Sequence, residues 1–401
     1  MEFNAETLGV VNASGETVYS YTKDQNNDAL WRVVYRKKTV SKYAKDVLNI
    51  FLPAGYPHSV TQDYKPYQIY DSLQAFSSSI AGMLSSRAVL QGMGVGDAGS
   101  SATGAVLLTV FQEGTGRIAT ILFAHYFGQA IEPECKFYRF SADLFNDTAL
   151  LLDILTPALP HYPKIMALCA SGILRSLCGA AAGAAKASLS SHFAKNGNLA
   201  ELNAKDGSQE TVITLMGMLA GSLFVRVVEG RQAVWCWMLI LIGIHLWTNY
   251  KAVRSVQMRT LNRQRASIVT HEYRKSGAIL RPEQVAQRES ILFWKAPPIN
   301  FCQTFSQEMT VDASDLDCLR SKNYFIAGHG TGPERTIVLR GSATGGATSK
   351  DALKAYMEAL GGVGGRVDLD EDQVFWNALS SAGWKLNTGA LETGPAMRLV
   401  C

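Results

Sequence analysis

The seven cysteines of this 401-residue chain, Cys135, Cys169, Cys178, Cys236, Cys302, Cys318 and Cys401, form no C-x-x-C pair, and their number is odd. Scattered in this way they argue for buried thiols in a reducing compartment and against a disulfide framework. A G-x-S-x-G nucleophile elbow is missing, and the seven histidines show neither the i,i+4 pairing nor the carboxylate neighbours of metal ligands. Basic stretches interleaved with aromatics are missing too, and a formal charge of +4 is too small to imply nucleic acid by itself. The opening MEFNAETLGV has neither the basic and apolar regions of a secretory signal nor an Arg-rich presequence, so membrane insertion is expected to use internal segments. These absences leave no recognisable catalytic constellation, and the chain is read as a non-enzyme without metal or cofactor.

What the sequence does hold is apolar surface in local runs. Hydrophobic content is 47% and charged content 18%, yet the mean hydropathy of +0.02 is far below that of a many-span transporter. The most telling run is Ala204 to Tyr250, where the polar block Lys205 to Glu210 opens onto two apolar segments split only by Arg226, Glu229, Gly230 and Arg231. It has the shape of a helical hairpin on a polar foot, and Gln232 to Tyr250, free of Asp, Glu, Lys and Arg, is long enough to cross a bilayer core of about 30 Å. Shorter uncharged stretches at Ala98 to Gln112, Ile118 to Ile131, Ile165 to Leu174 and Thr211 to Val225 fit either short spans or buried core helices. Gly179-x-x-x-Gly183 and Gly217-x-x-x-Gly221 are expected to let helices approach closely. The last apolar helix is expected to run on past Tyr250 through Lys275, placing Lys251, Arg254, Arg259, Arg263 and Arg265 on the cytosolic side if Gln232 to Tyr250 spans.

The fold expected is mainly α: a compact, membrane-associated helical bundle followed by a small α+β domain. Residues 1–40 read as a strand-like arm, 41–273 as the bundle with an apolar hairpin at 211–250, 274–300 as a linker around Ala296-Pro297-Pro298, and 301–401 as the α+β domain. In that last domain, strands are expected at Tyr324 to Ala327, Thr336 to Leu339, Trp384 to Leu386 and Met397 to Val400. Helices are expected at Lys350 to Leu360 and Gln373 to Ala382.

Gly94-x-Gly96-x-x-Gly99 fits a dinucleotide fingerprint on spacing alone, but helix rather than strand precedes it, and it reads as an interhelical turn. Gly328-His329-Gly330-Thr331-Gly332 reads as a loose hairpin. Arg139, Asp143 and Asp147 recur every four residues, so one helix face carries a cation and two carboxylates. On a solvated face these are salt bridges, whereas inside a bilayer bundle they need a functional reason such as a solute or proton path. The same two readings apply to Lys205, Asp206, Gln209 and Glu210 of the polar foot. A third group lies in PAGYPHSVTQDYKPYQIYDSLQ. There Tyr56, Asp63, Tyr64, Lys65, Tyr67 and Asp71 form either a rigid packed turn or, with the polar foot, a pocket at the membrane surface for a small phosphorylated ligand. His245 on the apolar run reads as a core or interface histidine.

Several collinear blocks carry a family resemblance: KYAKDVLNIFLPAGYPHSVTQDYKPYQIYDSLQAFSSSIAGMLSSRAVLQGMGVGD, SATGAVLLTVFQEGTGRIATILFA, RFSADLFNDTALLLDILTPALP, the foot NAKDGSQETV and the tail HLWTNYKAVRSVQM. From Tyr43 to Tyr273 the chain resembles the root UVB sensitive (RUS) family, and more loosely so through DQVFWNALSSAGWK. The resemblance implies membrane association, action together with a related family member, and a link to UV-B responses and pyridoxal-phosphate (vitamin B6) homeostasis. It brings no catalytic residues. Two functions from different classes stay open: a membrane scaffold or solute-handling protein, and a soluble or peripheral helical protein that binds a ligand or partner.

Overall fold

In the computed structural model the described residues are 7–11, 17–24, 27–35, 49–93, 102–303, 312–328, 334–341, 346–361, 373–395 and 397–400. Three strands, β1 (Thr7–Val11), β2 (Thr17–Asp24) and β3 (Asn27–Tyr35), pair in sequence order as an antiparallel meander.

Six long helices then follow among the described residues: α1 (Tyr64–Gly92), α2 (Ala102–Ile131), α3 (Cys135–Leu155), α4 (His161–Phe193), α5 (Leu199–Val227) and α6 (Arg231–Ser255). Their boundaries sit where backbone chemistry demands. Pro133 lies between α2 and α3, Pro157 and Pro160 between α3 and α4, and Gly197 and Gly230 take left-handed φ values of 69° and 81° before α5 and α6. The stretches Ile118 to Ile131 and up to Gln112, separate in the sequence, are one helix, interrupted chemically only by the Glu113–Arg117 pair.

The helices run alternately up and down. Phe123 of α2 meets Tyr138 of α3 across their short turn, and α4 brings Arg175 to Ser85 and His192 back to Asp63. α5 runs alongside α1, with Gly217 facing Phe76 and Ser79, and Gly221 facing Ile80 and Met83. Six alternations return the chain to the end where it began, and the Gln257 N–H donates to Asp63 at 2.6 Å. α1 packs on α3, α5 and α6, α3 packs on α4 and α6, and α2 rests on α4.

The two small-residue motifs part company here. A Cβ on Gly217 would stand 2.6 Å from Ser79 Cβ and 3.0 Å from the Phe76 carbonyl oxygen, whereas one on Gly179 or Gly183 meets nothing within 4 Å. Gly217→Val is therefore expected to cost about 1–3 kcal/mol of stability and Gly179→Val close to nothing, as read by thermal unfolding of the purified variants.

The helix expected to continue past Tyr250 instead ends at Ser255. Val256 turns extended, Gln257 is drawn to Asp63, and the Asn262 side chain accepts from the Arg265 N–H to start a new helix, α7 (Arg263–Ser276). Three basic residues of this stretch, Arg254, Arg263 and Arg265, are engaged in packing, while Lys251 and Arg259 are exposed. Arg254 donates to the carbonyls of Gln287 and Glu289, Arg263 to that of Leu391, and Arg265 to Glu289.

Beyond α7 come α8 (Pro282–Arg288), β4 (Ile299–Phe301), α9 (Ala313–Lys322), β5 (Tyr324–Gly328), β6 (Arg335–Gly341), α10 (Ser349–Ala359), α11 (Gln373–Ser381) and β7 (Arg398–Val400). β6 pairs antiparallel with β5 along one edge, and parallel with β4 and β7 in succession. Trp384 to Leu386 forms no strand, only a bridge from Lys385 to Thr260. The core of this region, around Tyr356, Phe375, Trp376 and Trp384, also takes Leu261 and, from α7, Ala266 and Val269. Leu280, Val285 and Ile299, within the stretch expected to be a linker, lie in the same core. Gly94 to Gly99 and residues 329–333 lie outside the described residues. The protein is mainly α, with a small sheet near its C-terminus.

Candidate functional site

The bundle has inverted polarity. Apolar side chains face outward, among them Val106, Leu107, Phe111 and Ile121 of α2, Leu223 of α5 and Trp247 of α6, with Ile121 68% exposed. Among the described residues, four helical segments are long and apolar enough to cross a membrane: Val106–Ile131, His161–Phe193, Leu199–Val227 and Arg231–Ser255. Inside, by contrast, polar groups line α1 from Asp63, at its N-terminus, to Ser85. At about 1.5 Å per residue those positions lie about 33 Å apart, close to the roughly 30 Å of a bilayer core.

The middle of this file joins α1, α3 and α6. Arg139 donates to Asp71 at 2.8 Å, to Gln74 Oε1 at 2.8 Å and to Asp143 Oδ1 at 3.0 Å. The other oxygen of Asp143 accepts from the amides of Gln74 and Asn249. His245 Nδ1 lies 2.8 Å and 2.9 Å from the two Asp147 oxygens, and its Nε2 is 3.2 Å from Gln74 Nε2. Asp143, Asp147, His245 and Asn249 are all at most 4% exposed. Three carboxylates thus surround one guanidinium and one imidazole, in an interior where unpaired charge is costly.

Toward the first turn of α1, Asp206 accepts from Gln68 at 2.7 Å and pairs with Lys186 at 2.7 Å, which also binds Glu210 at 2.7 Å. Toward the other end of the bundle, Asp153 accepts from Ser85 at 2.7 Å and Ser171 at 2.5 Å, and pairs with Arg175. Each end of the file reaches a cavity. Asp153 and Arg175 line one of about 350 Å³, beside Ser85 and Gln112. His192 lines one of about 130 Å³, with Arg259 and Lys385 at its wall.

The residues singled out from sequence divide between distinct tasks. Asp71, Asp143 and Asp147 meet in the central cluster, and Asp206 and Glu210 meet on Lys186. Lys205 donates to the carbonyls of Asn49 and Ile50, and Gln209 to that of Phe51, so both tether the incoming chain. Tyr64 and Tyr67 pack their rings on Phe193 at 5.5 Å and 5.1 Å, Tyr56 lies against Tyr64 at 6.4 Å, and Lys65 is exposed. Sequence reading left out Gln74, Asn249, Lys186, Asp153 and Arg175, and took His245 for a core or interface histidine. The signal for His245 and Asn249 was their spacing of four on an otherwise uncharged helix face. Among the described residues no group of three His, Cys, Asp or Glu side chains is placed to hold a metal ion.

Asp63 closes the file at the end where the chain enters. Its carboxylate meets His192 Nε2 at 2.8 Å and the Gln257 N–H at 2.6 Å. Burial alone raises this carboxyl, but His192, Thr61 and Gln257 outweigh it and bring it down to about 2. A depressed carboxylate stabilises the fold above its unfolded value of about 3.9, and that contribution is lost as pH falls toward 2. Chemical unfolding is therefore expected to show about 2 kcal/mol of stability disappearing between roughly pH 5 and 2, and Asp63→Asn is expected to flatten this acid limb.

A second knot ties the C-terminal region to the same end of the bundle. Glu289 accepts from Lys136 of α3 at 2.6 Å and from Arg265 of α7 at 2.7 Å, and all three are at most 4% exposed. Burial pushes the Glu289 carboxyl up, but the two cations hold it below the usual glutamate range. Asn262 adds bonds to the Pro133 carbonyl at 3.2 Å and to Glu134 at 3.0 Å.

Residues 37–277 match the family model described as the vitamin B6 photo-protection and homoeostasis domain. Protein root UVB sensitive 3 of Arabidopsis thaliana is 40% identical over 247 residues, which is 61% of this chain and 56% of that protein. RUS family member 1 of Dictyostelium discoideum is 39% identical over 248 residues, 61% of this chain and 47% of that protein. Protein root UVB sensitive 2, chloroplastic, of Arabidopsis thaliana is 27% identical over 328 residues, 79% of this chain and 73% of that protein. The chain thus spans about half the length of the first two relatives. No solved structure matches it.

Proposed function

Since the chain belongs to the root UVB sensitive family, whose shared segment is the vitamin B6 photo-protection and homoeostasis domain, we propose that it is a membrane-embedded, non-enzymatic protein that handles a vitamin B6-type solute. The observation that carries this reading is the inverted polarity of the bundle. An apolar exterior with a charged interior has its stable setting in lipid, because lipid covers the outward leucines and phenylalanines while the charges satisfy one another inside. Charged groups held at that depth are expensive, and a route for a polar solute gives them a reason to be there.

The two cavities fit the mouths of such a route. Arg175 at one and Arg259 and Lys385 at the other supply cations for a small phosphorylated ligand. The partners of this reading are the membrane and, as the family relationship implies, a related family member, for which the outward face of α2 is the natural docking surface. The test is flux of pyridoxine, pyridoxal and pyridoxine phosphate into liposomes carrying the purified protein. Saturable exchange of one vitamer, lost in Asp143→Asn, is expected. Absence of exchange for all three, or conversion of one vitamer into another, would overturn the reading.

A further inference from the structure

Donor and acceptor roles around Gln74 determine where a proton sits. Gln74 Oε1 accepts from Arg139, so its amide nitrogen must supply the remaining contacts. Its two hydrogens point to Asp143 and to His245 Nε2. For that second contact to be a hydrogen bond, Nε2 must be an unprotonated acceptor, and the ring proton must then lie on Nδ1, donated to Asp147. In its neutral form His245 is therefore held in one tautomer, with the proton on Nδ1.

Adding a proton at Nε2 sets two donors against each other across 3.2 Å. The contact is restored if the Gln74 amide rotates, so that Oε1 accepts from Nε2–H. That rotation turns the amide nitrogen toward Arg139, removes one of the bonds anchoring the guanidinium, and gives up the bond from Gln74 to Asp143. Protonation of His245 and anchoring of Arg139 on Gln74 thus exclude each other. The proton is also welcome in charge terms, because the cluster holds three carboxylates against one guanidinium. The charged and titratable groups around His245 are Arg139, Asp143 and Asp147 from α3 and Asp71 from α1. Tyr70 of α1 meets Trp247, and Cys178 of α4 lies within electrostatic range of Asp143, Asp147 and Arg139.

We propose that His245 is the proton-carrying group of the bundle and that Gln74 passes its protonation state to Arg139, so that one proton accompanies each solute through the file. This rests on the solute-handling reading above, and two measurements separate the two claims. The first needs no transport. In nitrogen-15 spectra of histidine-labelled protein in lipid nanodiscs, taken across a pH series, the resonance lost in His245→Gln is expected to show an Nδ1–H imidazole as its neutral form. An Nε2–H tautomer would overturn the proton switch whatever the protein transports.

The second follows pyridoxine phosphate in liposomes with the membrane potential clamped. An imposed pH gradient is expected to concentrate it by up to about tenfold per pH unit, which one proton per solute permits. In His245→Gln the concentration ratio is expected to fall to one. Exchange that proceeds in the wild type with no response to the gradient would overturn the coupling and leave the transport reading standing. No exchange at all would remove both.

Discussion

Replacing Arg139 with methionine is expected to destabilise the bundle by about 3–5 kcal/mol, the range for removing one partner from a buried charge network. Arg139 bonds both Asp71 and Asp143, and it also fixes the side chain of Gln74. Without it, carboxylates from α1 and α3 face each other in the bundle interior. Arg139→Lys is expected to recover part of the loss, because an ammonium keeps the charge but lacks the planar fork that reaches three acceptors at once. Double replacement, Arg139→Met with Asp143→Asn, is expected to cost less than the sum of the two single changes, since removing both partners leaves less charge stranded. Thermal unfolding of the wild type and these four variants in one detergent measures all of this, and a loss below about 1 kcal/mol for Arg139→Met would mean the cluster is solvated rather than sealed.

The second large effect is expected one helical turn away on α3, where the C-terminal region joins the bundle. Glu289→Met leaves Lys136 and Arg265 buried side by side with their shared acceptor gone, again a change of about 3–5 kcal/mol. It differs from Arg139→Met in what comes apart. The Glu289 knot joins α7 and α8 to the start of α3, so its loss is expected to free the C-terminal region while the bundle itself stays folded. Limited proteolysis should then cut first between α6 and α7, where the wild type resists. Because Glu289 is held below the usual glutamate range, the wild type is expected to weaken at this junction as pH falls below about 4, and Glu289→Met to show no such acid step.

These two sites also mark how far the sequence could be read. Helices were legible wherever apolar runs met a proline or glycine boundary, and so were β5, β6, α10 and α11, where turn residues bracket short runs. The Glu113–Arg117 pair concealed α2, because a charge window divides an apolar helix whether or not the two charges neutralise each other one turn apart. The break after Ser255 was hidden because its cause is tertiary: Asp63, far away in the chain, draws the Gln257 N–H out of the helix.

For the site, Arg139, Asp143 and Asp147 announced themselves through their period of four. Gln74 and Asn249 did not, since a lone amide on a helix carries no periodic signal and gains meaning only from what faces it. The near-zero mean hydropathy has a similar origin. The apolar bundle is diluted by the charged file within it and by the polar region that follows, so the average conceals a separation of surfaces that only the packing reveals.

The central claim, a bundle whose apolar exterior lies in lipid, is tested most directly by carbonate extraction of membranes from cells expressing the protein tagged at both ends, combined with protease protection of the tags. Retention in the carbonate pellet is predicted, with both tags on the same side of the membrane, because six alternating helices bring residues 63 and 257 together at one end. Release into the supernatant, or tags on opposite sides, would contradict the account.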